Sequence, residues 1–295
     1  MGGTGKSPVT LYLTDLLLDT FDLAILSRGY GRKTKGFTWV EFDSLASEVG
    51  DEPLMFKTLV GNKIHVAVCE DRNSGVENIQ LKFPKTKIVL LDDAFQHRKI
   101  KPGFSILLTT FDNPFFNDYV VPAGKLRENR SGAKRADVIL VTKCPNSLSI
   151  AQKNEFQLQL NKFKKPVFFS MVNYGNLMNF TFEVPLIKNI LVVAGIADPK
   201  DMIENLANSY NVESLVFSDH HQFTHAEITK IHQKFDTFAP SEKAIVTTQK
   251  DYMRLKEKVE EWGLIKYPWY ILPISIEIEN EQEFNKLIID YVGKN

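Results

Sequence analysis

The sequence predicts an α/β protein with mainly parallel sheets. Three observations carry that expectation. Apolar, β-branched runs alternate with helix-patterned stretches along the 295 residues. Several of those runs end in charged residues, where ligands gather in open α/β sheets. A glycine-rich turn, Gly2-Gly3-Thr4-Gly5-Lys6-Ser7, stands directly before an apolar helical pattern.

Taken in order, Pro8 to Asp19 reads as a helix beginning just after that turn, with proline near its first turn. LAILSRGYG is a buried strand running into a polar, glycine-bearing loop. KIHVAVCEDR and KIVLLDDAFQHR repeat the form: an apolar strand, then charges. FSILLTT and ADVILVTK are two more strands. Arg28, Asp71, Asp92 and Lys143 are thereby expected on one rim. Residues 151–166 read as a polar helix. In PVFFSMVNYGNLMNFTFEVP, two β-rich halves flank Tyr174-Gly175-Asn176, which predicts a hairpin or two-stranded ribbon. After Pro185 the alternation restarts with NILVVAGIADP, KAIVTTQKD and PWYILPISIEI. The expected division is a nucleotide-binding unit (1–165), the ribbon (166–186) and a second α/β unit (187–295).

Composition narrows the function classes. Hydrophobic residues are 43% and charged residues 24%, as in soluble globular proteins. Lys+Arg and Asp+Glu balance at 36 each, so no global basic signal points to nucleic acid, and none is expected as a partner. Cys69 and Cys144 lie in apolar runs and read as reduced, buried thiols. No apolar run reaches the ~18 residues of a membrane span, and the N-terminus lacks the basic stretch that opens a signal peptide.

In the turn, the backbone N–H groups of Gly2, Gly3, Thr4 and Gly5 would cradle phosphates. Lys6 would reach the β- and γ-phosphates, and the Ser7 hydroxyl would bind Mg2+. VLLDDAFQHR ends a strand in two acids, Asp92 and Asp93, the type of group that holds Mg2+ beside such a loop. In GDEP, Asp51 and Glu52 read by themselves as acids of a helix's first turn. FSDHHQFTHAE gathers Asp219, His220, His221 and His225. An Asp–His pair suits proton transfer, whereas the spacing does not suit a metal. His232 is expected on a helix surface. Arg28, Arg32, Lys125 and Arg127 lie in glycine-containing stretches that suit phosphate recognition; Arg130 reads as surface charge.

The motifs GGTGKSP, LSRGYGR, GDEP, LDDAFQHR, PAGKLRE, RADVILVTK, AGIADP, SDHHQF and TTQKD, in this order, resemble the tetraacyldisaccharide 4′-kinase family of lipid A biosynthesis. They run from residue 2 to about residue 251. The resemblance implies two α/β/α, P-loop/Rossmann-like domains joined by a two-stranded ribbon. It implies transfer of the ATP γ-phosphate, with Mg2+, to the 4′-hydroxyl of a tetraacylated glucosamine disaccharide 1-phosphate, giving lipid IVA. It also implies peripheral contact with the inner membrane, at its cytoplasmic face in Gram-negative bacteria.

Carried over by motif, Lys6 and Ser7 handle phosphate and Mg2+, and Asp92 and Asp93 form the acidic Mg2+ group. Gln96 and His97 lie beside the nucleotide. Asp51 becomes the catalytic aspartate, which reverses its reading as a helix-start acid. His220, ahead of His221, becomes its partner. Arg28, Arg72 and Arg127 become phosphate or substrate contacts. Asp51 and His220 then sit in different units, so closure about the ribbon would assemble the site.

Two departures stand out. Gln249 replaces the usual acid of a T-E-K-D motif. The first glycine of the full G-x-x-x-x-G-K-S/T pattern would fall one place before Met1, and family members carry a membrane-associated helix and a strand ahead of the loop. The expectation is a shortened chain, best explained by a misassigned start codon, with poor stability and weak activity. Two other classes are weighed. A P-loop GTPase or metallochaperone-like regulator would carry N-K-x-D, and Val141-Thr142-Lys143-Cys144 lacks both Asn and Asp. The other is a non-catalytic nucleotide-binding remnant.

Overall fold

The structure, a computed structural model, describes residues 3–238 and 242–294; Gly2 of the glycine-rich turn lies outside the described residues. The first half of the chain forms α1 (Lys6–Leu17), β1 (Leu23–Ser27), β2 (Thr38–Trp39), α2 (Ala46–Val49), α3 (Asp51–Val60), β3 (His65–Val68), α4 (Arg72–Lys82), β4 (Ile88–Leu91), β5 (Ile106–Thr110), β6 (Val138–Thr142) and α5 (Ile150–Leu160). The second half forms β7 (Val167–Tyr174), β8 (Met178–Asn179), β9 (Asn189–Ala194), α6 (Lys200–Ala207), β10 (Asn211–Val216), α7 (His225–Asp236), β11 (Lys243–Thr248), α8 (Gln249–Leu255), β12 (Trp269–Leu272), β13 (Ile274–Ile278) and α9 (Glu281–Val292).

These strands assemble, among the described residues, into sheets ordered β2-β3-β1-β4, β13-β7-β6-β5 and β10-β9-β11-β12-β8. Most pairings are parallel; β2, β8 and β13 pair antiparallel. The α/β expectation therefore holds. β1 and β6 are buried at every position, which is why their sequences are unbroken apolar runs rather than alternating ones. Ile25, Leu26 and Leu140 have no exposed surface, and each such burial contributes about 1.5–3 kcal/mol.

Two sheets end at β4 and β5, and these strands line the same cleft, of about 1130 Å3. Val9, Leu13 and Leu17 of α1 line it with them, as do Thr4, Lys6, Asp92, Asp93, Gln96, His97 and Arg127. The apolar part of the cleft is thus continuous with the glycine-rich turn.

The ribbon differs from expectation. β7 and β8 do not form a hairpin with one another: β7 pairs antiparallel with β13, in register from Tyr174↔Ile274 to Ser170↔Ile278, and β8 joins β12. The chain leaves the first unit along β7 and returns along β13. Its last helix, α9, then packs Phe284 and Ile288 into the same core as Val9, Leu17 and Phe168. On these pairings we divide the chain into a first unit that includes β13 and α9, and a second unit spanning β8 to β12. The expected boundaries, 166–186 and 187–295, place β13 and α9 with the second unit instead.

The two units touch through α3 and α8. Thr58 of α3 sits 3.5 Å from the Met253 sulfur of α8, and Met253 belongs to the first unit's core. His232 is not on a surface. It lies on the buried face of α7, stacked on Tyr267, and accepts a hydrogen bond from Trp269 Nε1 at 3.2 Å. Cys69 and Cys144 are buried and free, as expected. Among the described residues, no helix is long and apolar enough to cross a membrane.

Candidate active site

The glycine-rich turn is held at the carboxyl end of β6. Thr142 Oγ1 donates to the Thr4 carbonyl at 2.9 Å. Gly5, the residue that opens α1, has φ +80°, a left-handed conformation that glycine adopts without strain. Lys6 and Ser7 form the first turn of α1, so their N–H groups stand at the helix's positive end.

Three carboxylates face this turn. Lys6 Nζ lies 3.5 Å from Asp93 Oδ1, and Arg127 Nη1 lies 3.2 Å from Asp93 Oδ2. Burial alone would raise Asp93, but these two cations outweigh it and hold the carboxyl below its usual range. Ser7 Oγ donates to Glu52 Oε1 at 2.9 Å. Asp92 is 2% exposed. It accepts from Ser27 Oγ at 2.9 Å through Oδ2, while its buried Oδ1 has no protein partner. Burial, and then the negative charge of Glu52, pushes Asp92 up to about 7.

Asp51 opens α3. Gly50 precedes it at φ +93°, and a Cβ there would sit 3.1 Å from the Tyr30 carbonyl oxygen. Only glycine lets the chain enter the helix at this place. Asp51 is 5% exposed. Its Oδ1 accepts the Glu52 N–H at 2.8 Å. His220 Nδ1 lies 3.0 Å from Oδ2, and Arg254 Nη1 lies 3.6 Å from the same oxygen. Burial would raise this carboxyl, but the His220 hydrogen bond and the charges of Lys250 and Arg254 prevail and hold it low.

His220 is presented from the second unit in a left-handed conformation, φ +57°. Its backbone N–H donates to the Gly195 carbonyl at 3.2 Å. Beneath it lies α8, whose start is capped by Thr248 accepting the Asp251 N–H. Asp251 and Arg254, both buried, pair along α8. Arg254 also donates to the carbonyls of His221, at 3.0 Å, and Gly195, at 3.1 Å.

The structure thus brings together Lys6, Ser7, Asp92, Asp93 and Arg127, and joins Asp51 to His220. Gln96 and His97 line the same cleft. His221 is occupied elsewhere, with Nε2 3.1 Å from Glu227 Oε1. Arg72 and Arg28 stand apart from this group. Arg72 is 1% exposed and its guanidinium donates to the carbonyls of Cys69, Glu70 and Asp92, so it ties strand ends together. Arg28 is exposed after β1. Three neighbours of the site had no role in the sequence reading: Glu52, Lys250 and Arg254. Lys250 and Arg254 lie four apart on α8, so they share a face, and TTQKD was the available signal.

A model of the tetraacyldisaccharide-1-P 4′-kinase family, LpxK, matches residues 1–293. The tetraacyldisaccharide 4′-kinase of Flavobacterium psychrophilum is 43% identical, over 99% of this chain and 84% of its own. That of Bacteroides fragilis is 41% identical, over 100% and 82%. A crystal structure of LpxK from Aquifex aeolicus in complex with ATP superposes with a TM-score of 0.71 at 28% identity, covering 99% of this chain and 85% of that one. These findings do not favour the GTPase-like regulator or the nucleotide-binding remnant. With the loop, the acid pair and the Asp51–His220 contact in one place, the chain belongs to the tetraacyldisaccharide-1-P 4′-kinase family.

Proposed function

We propose that this protein transfers the γ-phosphate of ATP to the 4′-hydroxyl of a tetraacyldisaccharide 1-phosphate. The observation that carries the reading is Asp51, 3.0 Å from His220 and one residue from Glu52, which takes the Ser7 hydroxyl. A carboxylate for the acceptor hydroxyl is therefore adjacent to the phosphate loop.

The chain's own groups divide the work. The N–H groups of the glycine-rich turn and α1 bind the phosphates, and Lys6 and Arg127 offset their charge. Asp51 accepts the proton of the sugar hydroxyl. Held low, it is ionised at neutral pH, and as a weak base it takes the proton late, as the phosphoryl group arrives. His220 orients it.

The donor set fits Mg2+. Asp92 Oδ1 is buried without a partner, and Ser7 donates its only O–H to Glu52, leaving its oxygen lone pairs available. Ser7, Asp92 and Asp93 would hold the ion. When bound, it supplies charge stabilisation at the phosphates. On this reading the protein meets its lipid acceptor in peripheral contact with the inner membrane, at the cytoplasmic face.

The test is phosphate transfer from Mg-ATP to tetraacyldisaccharide 1-phosphate in detergent micelles, with Asp51→Ala in parallel. Transfer by the parent that falls by at least about a hundredfold in the variant is expected. Equal rates would remove Asp51 from the chemistry, and no transfer by a folded parent would overturn the substrate reading.

A further inference from the structure

Lys250 is 15% exposed at its side chain and stands against the far side of the His220 ring. Its Nζ lies 3.2 Å from His220 Nε2, 3.5 Å from Asp219 Oδ1 and 3.6 Å from Glu52 Oε1. Burial would lower Lys250, but Glu52, Asp51 and Asp219 outweigh it, so it stays an ammonium. An ammonium has donors only. The nitrogen facing it must therefore accept, which makes Nε2 the unprotonated nitrogen.

The other side of the ring gives the same answer independently. Nδ1 faces the Asp51 carboxylate, an acceptor with no proton to give, so Nδ1 must donate. The other tautomer would need an acceptor for Nε2–H. The nearest carboxylate, Asp219 Oδ2, is 3.9 Å away, too far for a hydrogen bond, and Asp219 faces Lys250. Tyr30 covers the ring at 4.9 Å between centroids. The backbone is pinned as well, because Asp251 accepts the Gly195 N–H at 3.0 Å and Gly195 holds the His220 N–H.

We propose that Lys250 is a positioning residue that fixes His220 as the neutral Nδ1–H tautomer, so that the ring donates to Asp51 and leaves Asp51 as the proton acceptor. The role of Lys250 in turnover rests on the kinase reading above; the tautomer itself does not.

Two measurements test it. In 15N-histidine-labelled protein, with His220→Ala to assign the signal, His220 should show a protonated Nδ1 and a pyridine-like Nε2. Lys250→Met should mix the two tautomers, and Lys250→Arg, which keeps a donor, should restore the first. A wild-type spectrum with the proton on Nε2 would overturn the proposal, even if the protein phosphorylated nothing. In the phosphate-transfer assay, Lys250→Met should lower kcat by on the order of tenfold or more, with KM for ATP little changed. Placed in a His220→Ala background, the same change should cost less than about threefold, because its target is gone. An equal loss in both backgrounds would show that Lys250 acts without His220.

Discussion

Arg254→Met should destabilise the fold and weaken the Asp51 site together. The Arg254 side chain is 1% exposed and that of its partner Asp251 is 0%. The substitution leaves Asp251 without its cation and removes the donors of the His221 and Gly195 carbonyls. Breaking a buried pair from one side costs about 3–5 kcal/mol. At roughly 2 °C per kcal/mol for a chain of this size, the melting temperature should fall by about 6–10 °C. Asp51 also loses one of the charges that hold its carboxyl low, so its pKa should rise. Circular dichroism melts read the first effect and the phosphate-transfer rate below the new melting point reads the second. A companion change, Asp251→Leu, should recover part of the stability by removing the stranded charge, but not the rate. A melting temperature within about 2 °C of the parent would refute the assignment of Arg254 as the clamp beneath the site.

Arg72 and Arg127 should separate cleanly: Arg72→Met is expected to lower the melting temperature through its lost strand-end hydrogen bonds, whereas Arg127→Met should leave the melt unchanged and reduce turnover. The reverse pattern would favour Arg72 as a substrate contact. Burial pushes His232 down to about 4, against 6.5 for the free side chain. Between those values the unfolded chain binds a proton that the folded chain refuses, so stability should fall by roughly 3 kcal/mol as pH drops from 6.5 to 4. Urea melts of His232→Gln should lack that part of the acid slope, and an identical slope would show that His232 titrates freely. Gly50→Ala forces a side chain into a left-handed turn against Tyr30 and should cost more than about 1 kcal/mol. It should also cut turnover by displacing Asp51; a fully active, equally stable variant would deny the close approach.

The strands were legible because parallel strands buried on both faces leave continuous apolar runs, as in LAILS and VILVT. What β7 pairs with was not legible. A strand records its burial but not its neighbour, and β13 arrives only after the whole second unit has been made. His232 was misread although its signal was present. Ile228, Ile231, His232 and Phe235 follow the spacing of one helix face, and three of the four are apolar. Arg72 was illegible for a different reason: an arginine after a strand looks the same whether its fork meets a ligand or three carbonyl oxygens. Asp51 could not be judged locally at all. What distinguishes it from an ordinary first-turn acid is His220, 169 residues away.

The adjacency of Asp51 and Glu52 now has a physical reason. Consecutive residues on a helix diverge by ~100°, so two neighbouring acids at the start of α3 must serve two different places. Asp51 meets His220 and Arg254, while Glu52 meets Ser7 and Lys250. Lys250 touches both the ring that orients Asp51 and the carboxylate that takes the Ser7 hydroxyl. The acceptor side of the reaction and the phosphate loop are therefore tied through a single turn of helix and a single cation, and that cation comes from the other unit. Because His220 and Lys250 come from the same unit, the contacts that join the two units here are His220 with Asp51 and Lys250 with Glu52, with Met253 packed in the first unit's core beside them.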